Sequence, residues 1–341
     1  MPPEWAPHER TWMAWPTAGY ALGETQEEAD DAHRTWSSVA RAVAGFEAVT
    51  VVADPADSEV ARRWLDGDGA RPYGIDVVEA PLDDAWMRDI GPTFVVDADG
   101  SPAAVDWVFN GWGGQEWAVW EHDSRVGAFV ADRAGVTRIG SEMVNEGGGL
   151  HVDGLGTVLL TETVQLDPGR NPGMAKADVE AELARTIGAR TCIWLPRGLA
   201  RDYDEFGTRG HVDIVATFAD PGLVLLHWQA DPAHPDHEVS VELEQVLQAA
   251  RDARGRELEV VRVPAPTTLE DGDDWVDWSY INHYVCNGGV VACAFEDPQD
   301  GASLSILAAA YSGRQVVGVD ARPLFERGGG IHCITQQQPR V

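Results

Sequence analysis

The chain has 341 residues, a formal net charge of −31 and a hydrophobic fraction of 44%. This length can bury a large core, and the charge argues against nucleic acid as a partner because phosphate binding requires a basic surface. The same negative charge would favour a small cationic ligand through electrostatic steering.

Short apolar, β-branched runs alternate with helical patterns along the chain. The predicted strands are Ala48–Ala53, Ile75–Glu79, Thr93–Val96, Ala103–Val108, Thr157–Thr161, Val212–Phe218, Leu223–Trp228, Leu258–Val263, Gly289–Phe295 and Val316–Asp320. The predicted helices are Glu27–Ala44, Glu121–Ala134, Lys176–Thr186, Val239–Ala253 and Ser303–Ser312. In the first helix Trp36, Val39, Ala40 and Val43 recur at helical spacing and form a core face. The alternation predicts an α/β fold.

The chain is expected to form one domain, residues 1–341, because glycine and proline clusters fall at element boundaries and no linker is present. A strand–helix–strand unit recurs about every sixty residues, without a repeat strong enough to define a repeat family. No long uncharged apolar run is present, so we expect no membrane-spanning segment.

Cysteine usage and the N-terminus predict a cytoplasmic protein. The run Met1–Trp5 lacks a basic segment followed by an apolar one, so no secretory signal is expected. Four cysteines are too few and too scattered for a disulfide framework. Cys192, Cys286 and Cys293 lie in apolar runs and are expected in the core.

The fourth cysteine, Cys333, follows three glycines in the run Gly328–Gln336. Glycine lets the backbone approach a bound ligand closely and adopt positive φ at little steric cost. A thiolate at the end of such a turn can face a pocket, as a nucleophile requires. This motif alone leaves a buried structural cysteine open as the alternative.

Further segments concentrate polar residues with glycine between apolar strands. Asp89 lies beside Arg88 and near Trp86, just before a Gly-Pro turn, where a surface Arg–Asp pair is the alternative. Trp112 stands among glycines, which suits a loop that presents an aromatic face to a cation. An irregular loop filled by a large side chain is the other reading of that motif.

Two more segments carry carboxylates and histidines. Glu146 precedes three glycines at the start of a predicted hairpin, which does not itself need a carboxylate, whereas His151 and Asp153 are expected in the turn. His211 and Asp213 are two residues apart, and a strand would place both on one face. Buried polar groups on that face need hydrogen-bond partners. A histidine that acts as acid and base beside a carboxylate that binds a cation would meet this requirement.

Together these segments supply one cysteine, one histidine and two or three carboxylates. Carboxylates beside a thiol suppress thiolate formation, which disfavours ester or peptide hydrolysis. They suit a guanidinium, because that cation prefers bidentate carboxylate partners and its charge would favour a nearby thiolate. The residue types therefore point to attack on an amidine-like carbon.

Zinc is the competing hypothesis for His151, Asp153, His211, Asp213 and Cys333. Their spacing matches no usual zinc pattern, and CxxC and HExxH are missing from the sequence. The sequence also lacks GxGxxG after a strand, GxxxxGKS/T and GxSxG, so nucleotide binding and serine hydrolysis have no support.

The same segments, in this order, resemble the agmatine deiminase family with its bacterial peptidylarginine deiminase relatives, within the guanidine-modifying superfamily. The matching stretches are Trp86–Pro92, Asn110–Gly114, Glu146–Gly154, Arg170–Gly173, Gly210–Asp213, Ser279–Asn282 and Gly328–Pro339. The resemblance implies a five-bladed pseudosymmetric α/β propeller of ββαβ units, the pentein fold, around a central site. It implies no metal and no organic cofactor.

By matching position, the resemblance makes Cys333 the nucleophile, His211 the general acid and base, and Asp89 and Asp213 the clamps of the guanidinium. The residues assigned to substrate binding and support of the site are Glu146, Trp86, Trp112 and Arg209. The implied reaction is hydrolysis of agmatine to N-carbamoylputrescine and ammonia through a covalent thiouronium at the cysteine, a step of putrescine biosynthesis.

One departure from the family pattern concerns the distal amine of the substrate. Many agmatine-acting members carry an acid shortly before Gly-His-x-Asp, and the aligned position here is Gly207. Asp204 or Glu205 could replace that acid, whereas Arg209 would favour a substrate with a distal carboxylate.

Several alternatives therefore stay open. Peptidyl-arginine or a carboxylate-bearing guanidino compound is the alternative substrate, and amidino transfer by the same cysteine is the neighbouring reaction. An inactive binding module is the alternative from another class. The fourteen tryptophans also permit a homodimer interface.

Overall fold

The computed structural model describes residues 1–17, 19–66, 71–272 and 274–341. Its strands are β1 (His8–Ala14), β2 (Val49–Ala53), β3 (Ile75–Glu79), β4 (Thr93–Val96), β5 (Pro102–Val108), β6 (Thr137–Val144), β7 (His151–Val152), β8 (Thr157–Thr161), β9 (Thr191–Leu195), β10 (Ala216–Asp220), β11 (Leu223–Trp228), β12 (Glu259–Pro264), β13 (Glu270–Asp271), β14 (Asp274–Trp275), β15 (Tyr284–Cys286), β16 (Gly289–Ala294), β17 (Gln315–Asp320) and β18 (Gln336–Pro339).

Its helices are α1 (Gly19–Leu22), α2 (Gln26–Val43), α3 (Ser58–Leu65), α4 (Met87–Ile90), α5 (Gly111–Gly114), α6 (Val126–Ala134), α7 (Glu162–Gln165), α8 (Lys176–Ile187), α9 (Val212–Val215), α10 (Asp236–Ala249), α11 (Asp300–Ala310) and α12 (Arg322–Phe325). Short 3₁₀ turns lie at Asp123–Arg125, Gly147–Gly149 and Arg201–Tyr203. The predicted α/β alternation is confirmed. Among the described helices, none combines the length and the apolar character that crossing a bilayer requires.

Helix α2 shows why its sequence begins and packs where it does. Thr25 is its N-cap and accepts from the Glu28 backbone N–H, while the Glu28 carboxylate accepts from the Thr25 N–H. This capping box satisfies two donors that the first turn leaves free. The predicted face of Trp36, Val39 and Val43 is buried, as amphipathic spacing requires.

One sheet topology recurs through the described residues. In each of five sheets an antiparallel pair is followed by a parallel pair, which needs a crossover connection. The orders are β18-β1-β2-β3, β4-β5-β6, β7-β8-β9, β10-β11-β12 and β15-β16-β17. In the first sheet Gln336 of β18 lies opposite Trp12 of β1, so the two ends of the chain share one sheet.

The predicted strand Val212–Phe218 is wrong over its first half. Val212–Val215 forms one helical turn, closed by the Ala216 N–H on the Val212 carbonyl, and β10 begins only at Ala216. His211 is the residue before this turn. The alternation argument for a shared strand face therefore fails, although His211 Nδ1 still lies 4.0 Å from Asp213 Oδ1.

Four of the five polar segments singled out in the sequence immediately precede the first strand of a sheet, whereas the Trp112 segment follows β5. Helix α4 precedes β4, the turn Gly147–Gly149 precedes β7, α9 precedes β10, and Cys333 precedes β18. Asn282 stands in the equivalent place before β15. The repeated topology thus places one such segment before each of the five sheets, and these segments meet in the interior.

Candidate active site

Cys333 is 2% exposed and lies at the end of the glycine turn. Gly328 has φ +94°, a conformation that other residues rarely adopt. A Cβ on Gly329 would lie 2.7 Å from the Trp86 ring and 3.1 Å from Cys333 Sγ. The glycines are therefore required for Trp86 and the thiol to approach the turn so closely.

Asn282 is a site residue to which the sequence assigned no role. Its Nδ2 lies 3.3 Å from Cys333 Sγ, and its Oδ1 accepts from the backbone N–H of His332 at 3.0 Å. Nδ2 also donates to the Asp213 carbonyl at 3.2 Å. Asn282 thus fixes the cysteine segment against the loop that carries Asp213. Its place in the run Ser279–Asn282, one of the matching stretches, was the available signal.

The two carboxylates expected to clamp a guanidinium, Asp89 and Asp213, are both buried and both near His211. Asp89 Oδ1 lies 3.9 Å from His211 Nδ1, and Asp213 Oδ2 lies 3.8 Å from Cys333 Sγ. Asp89 Oδ2 accepts from Trp112 Nε1 at 2.9 Å. Asp213 Oδ1 is buried and has no hydrogen-bond partner among the described residues. In the same part of the chain, neither carboxylate is paired with a lysine or arginine.

Gly148 brings the third segment into the same place. Its backbone N–H donates to Asp89 Oδ1 at 3.2 Å. A Cβ at this position would lie 2.5 Å from His211 Nδ1. Glycine at position 148 therefore allows a close approach of His211 to the backbone, which any side chain there would prevent.

Glu146 is completely buried and contacts protein cations. Its Oε2 lies 3.2 Å from His211 Nε2, and both of its oxygens accept from Arg170 Nε at 3.0 Å. Arg170 continues to Asp167 at 2.9 Å, and Asp167 accepts from Arg209 at 3.1 Å. Arg209 therefore lies at the outer end of an ion-pair chain that reaches His211.

These contacts set the protonation of the site. Burial raises the pKa of Glu146, but Arg170 and then His211 outweigh it and lower that pKa to about 2. Burial lowers the pKa of His211, whereas Asp89 and Glu146 raise it to about 9. Burial raises the pKa of Asp89 to about 6. The substrate-free site therefore holds a protonated histidine between carboxylates at neutral pH.

The surroundings of Cys333 oppose ionisation of its thiol. Burial, then Asp213 and Asp89, raise the pKa of the thiol well above its usual range. A bound cation between those carboxylates would cancel their effect on the thiol. A positively charged ligand bound there would therefore favour ionisation of the Cys333 thiol.

Aromatic rings surround the approach to the thiol. Tyr20 stacks on Phe206 with ring centroids 4.5 Å apart and lies 6.5 Å from Trp86. Trp117 meets Tyr20 edge-on at 5.0 Å and stacks on Trp112 at 5.3 Å. Trp86 and Trp112 are buried, whereas the other three rings are partly exposed. Both predicted tryptophans therefore lie at the site.

The remaining candidates lie away from the thiol. Asp153 binds the backbone and hydroxyl of Thr157 in the hairpin turn, as expected. His151 lies in strand β7 instead of the expected turn and is buried, with Nε2 2.7 Å from Thr217 Oγ1. The five residues weighed as zinc ligands do not form one cluster. In the described part of the chain, the donors close enough to share an ion belong to Glu4, His151 and His332.

The other three cysteines differ from Cys333 in their surroundings. All four are free, and Cys286 and Cys293 are buried in the core, as predicted. Cys192 is only partly buried, so its expected core position is only partly correct. Burial raises the pKa of Cys293 to about 12, and that thiol donates to the Asn282 carbonyl at 3.1 Å. Neither buried cysteine combines the glycine turn with carboxylates.

Comparison with known proteins agrees with this geometry. Residues 1–339 match the family of Porphyromonas-type peptidyl-arginine deiminases. A Streptomyces coelicolor protein provisionally named agmatine deiminase is 59% identical over 342 residues, which cover 100% of this chain and 99% of that protein. The agmatine deiminase of Ectopseudomonas mendocina is 39% identical over 99% of this chain and 95% of its own.

A solved structure gives the same result at the level of the fold. The agmatine deiminase of Enterococcus faecalis, described as catalysing its reaction, superposes on this chain with a TM-score of 0.91. Its sequence identity is 32%, over 100% of this chain and 95% of that one. The resemblance inferred from the motifs is confirmed: the chain belongs to the Porphyromonas-type peptidyl-arginine deiminase family.

Proposed function

We propose that this chain hydrolyses agmatine to N-carbamoylputrescine and ammonia, cleaving a C–N bond of a linear amidine. The observation that carries the proposal is the placement of the Cys333 thiol 3.8 Å from Asp213, a buried carboxylate with one oxygen unpartnered among the described residues. A guanidinium supplies the missing charge and the missing donors together. The E. mendocina and E. faecalis relatives are named for this activity, which supports the assignment.

Binding comes first in the proposed reaction. Asp89 and Asp213 accept hydrogen bonds from the guanidinium nitrogens, which orients the central carbon toward Cys333. The cation offsets the carboxylate charge around the thiol, so the thiol loses its proton to solvent. Binding thereby creates the nucleophile only when a substrate is present.

Two chemical steps follow. Cys333 Sγ forms a bond to the guanidinium carbon, His211 gives its proton to one nitrogen, and the C–N bond breaks to release ammonia. The product of this step is a thiouronium on Cys333. His211 then takes a proton from water, and the resulting hydroxide attacks the same carbon. The C–S bond breaks as the new hydroxyl group gives its proton to the departing sulfur, which leaves the neutral ureido product and the Cys333 thiol.

Glu146 and Arg170 support this proton transfer. The carboxylate of Glu146 bonds His211 Nε2 and leaves Nδ1 on the side of Asp89 and Asp213. His211 Nδ1 is buried and has no hydrogen-bond partner in the described residues. We therefore assign Nδ1 as the atom that exchanges the proton with substrate.

The surroundings of Gly207 and Arg209 bear on the choice of substrate. A Cβ at Gly207 would lie 2.2 Å from the Asp202 carbonyl oxygen, so an acidic side chain cannot simply replace it. Asp204 and Glu205 are exposed. Arg209 already pairs with Asp167, so its guanidinium is less available to bind a distal carboxylate of a substrate. This supports an amine at the distal end of the substrate over a carboxylate.

Aromatic rings would hold that amine in place of the missing acid. Tyr20, Trp117 and Phe206 are mutually packed and partly exposed beside Trp86. An ammonium over such faces gains about 0.5–1 kcal/mol at exposed sites and about 2 when desolvated. We propose these three rings as the distal subsite.

The scaffold and its setting complete the proposal. Five sheets of one topology, each preceded by a site segment, support a five-bladed propeller in one catalytic domain, residues 1–341. The free cysteines suit a reducing compartment, which supports the cytoplasm. A homodimer is proposed as well, and sedimentation velocity would measure it. The net charge of −31 argues against nucleic acid as a partner.

Ammonia release from a panel of guanidines tests the activity. The panel contains agmatine, arginine, a blocked arginine peptide and a guanidino acid, with Cys333→Ser as the blank. We expect the highest kcat/KM with agmatine. Turnover restricted to the peptide or the guanidino acid would contradict the substrate assignment. Transfer of the amidino group to an added amine, without ammonia release, would contradict hydrolysis.

A further inference from the structure

His332 directly precedes the proposed nucleophile, yet the reaction described above uses no atom of its side chain. The imidazole is buried between two carboxylates. Its Nδ1 lies 2.6 Å from Asp213 Oδ2, and its Nε2 lies 2.9 Å from Glu4 Oε2. Since a carboxylate anion only accepts hydrogen bonds, both ring nitrogens must donate, and the ring between two such anions carries a positive charge.

Glu4 is itself fixed in place. Its Oε1 accepts from the Val285 backbone N–H at 2.8 Å, and its Oε2 lies 3.6 Å from His151 Nε2. Glu4 is separated from His332 by 328 residues, so the extreme N-terminus reaches the site only because β1 and β18 share a sheet. The buried carboxylate of Glu4 is therefore stabilised by the positive charge of His332.

The contact with His332 decides which Asp213 oxygen stays free. Oδ2 accepts from His332, whereas Oδ1 is buried, has no partner among the described residues and lies 4.0 Å from His211 Nδ1. Burial would raise the pKa of Asp213, but the hydrogen bond and charge of His332 outweigh burial and lower it. The carboxylate is therefore ionised and held in one orientation before substrate arrives.

A bound metal is the other reading of Glu4, His151 and His332, whose donor atoms lie within 4.8 Å of one another. Both nitrogens of His332 are already bonded to carboxylates. Arg88 lines the same small cavity, and its buried Nη2 has no hydrogen-bond partner in the described part of the chain. A fixed guanidinium beside the cluster opposes a second cation. The geometry favours a chain of hydrogen bonds from Glu4 through His332 to Asp213 over a bound metal.

We infer that His332, held by Glu4, is a positioning residue that keeps Asp213 anionic and leaves its Oδ1 free for the guanidinium. The inference rests on the proposed function, because Asp213 acts there as the clamp. The other charged or titratable groups that face Asp213 are His211, Arg88, Asp89 and the Cys333 thiol. None of them is expected to move in variants of Glu4.

Two substitutions at His332 and one at Glu4 test this role. His332→Leu removes both donors, whereas His332→Asn keeps a donor near the Nδ1 position. Glu4→Gln keeps the shape of the glutamate and removes its charge. We expect kcat/KM for agmatine to fall about a hundredfold in His332→Leu and about tenfold in Glu4→Gln, mainly through KM, as loss of charged hydrogen bonds predicts. His332→Asn should recover part of the loss.

Asp236→Asn is the matched control. Asp236 is also buried and also lies beside a histidine, His234 at 3.6 Å, and among the described residues neither side chain hydrogen-bonds a residue of the site. This variant should lower the melting temperature and leave KM unchanged. In Glu4→Gln the rise of KM on acidification should also begin at a higher pH, because Asp213 loses support for its charge. If His332→Leu does not fold, Glu4→Gln and His332→Asn still give both readouts.

The outcomes separate the two proposals. Wild-type protein that releases no ammonia from any guanidine would refute the proposed function. Wild-type turnover together with unchanged KM in Glu4→Gln and His332→Leu would refute the positioning role alone. Loss of wild-type activity with a chelator and its return with zinc would refute it too, because the cluster would then be a metal site.

Discussion

Trp112 donates its indole N–H to Asp89 Oδ2 at 2.9 Å, so this ring anchors the carboxylate that we propose as one clamp of the guanidinium. Trp112 has φ +53°, which is uncommon for a residue other than glycine. Strain of this kind persists only where the surrounding structure over-determines it. The backbone thus holds the indole in a position that fixes Asp89 before substrate binds.

Trp112→Phe tests that anchor. The variant keeps an aromatic ring and removes the donor, so Asp89 loses one charged hydrogen bond, and kcat/KM for agmatine should fall about tenfold to a hundredfold. Steady-state ammonia release measures the change. Trp107→Phe is the control, because Trp107 Nε1 makes a buried bond of the same length to Thr93 Oγ1 away from the thiol. Equal losses in both variants would show that the Asp89 contact has no special role.

Arg170 and Glu146 form a buried ion pair, so the losses of stability in the two single variants should not add up to the loss in the double variant. Arg170→Gln leaves the Glu146 carboxylate without its main cation, and unfolding free energy should fall by about 3–5 kcal/mol. Glu146→Gln combined with Arg170→Gln should recover much of that stability while activity stays low, since His211 loses its partner. Urea unfolding of the double-mutant cycle measures the coupling. Additive losses would contradict the pairing.

The pH dependence of kcat/KM follows from the protonation of the free enzyme. The reactive state needs a Cys333 thiolate and a protonated His211, whereas the free site holds a thiol and a protonated histidine. One proton must therefore leave, and log kcat/KM should rise with pH up to about 9, where His211 begins to lose its own proton.

Below about pH 6 the same plot should become steeper. Burial raises the pKa of Asp89 to about 6, so this clamp is also protonated there and must lose a second proton to bind a guanidinium. Rate measurements across the acidic and alkaline ranges with agmatine give both limbs. A plot that is flat between those two pKa values would mean that the thiolate already exists in the free enzyme.

Much of the fold, and less of the site, could be predicted from the sequence. Apolar β-branched runs such as Leu223–Trp228 and Thr157–Thr161 have the predicted bounds, because burial on both faces leaves a continuous signal. Strand β1, with His8, Glu9 and Arg10 at its start, lacks that signal and was missed. Its place is set by pairing with β18 at the other end of the chain.

The site shows the same limit more sharply. Residue types around Cys333 and His211 indicated guanidinium chemistry, but the partners of each group lie far away in sequence. Asn282 is 51 residues from Cys333, and Glu4 is 328 from His332. The run after His211 has strand propensity, yet its backbone closes a helical turn at Ala216. Local pattern carries no information about such pairings.

The distal subsite predicts a difference between two substrates. Phe206→Ala should raise KM for agmatine about two- to fivefold, the value of a partly exposed cation–π contact. KM for butylguanidine, which lacks the amine, should change less because no ammonium is lost from the rings. Ammonia release at varied concentrations of each compound gives the comparison. Equal changes with both compounds would assign Phe206 to packing alone.

The most direct test of the account is the intact mass of enzyme quenched with acid during turnover of agmatine. The account predicts a covalent adduct equal to agmatine minus ammonia, located on Cys333 by peptide mapping and absent from Cys333→Ser. Ammonia release by the wild type without any such adduct, or by Cys333→Ser at a comparable rate, would contradict nucleophilic catalysis by this thiol.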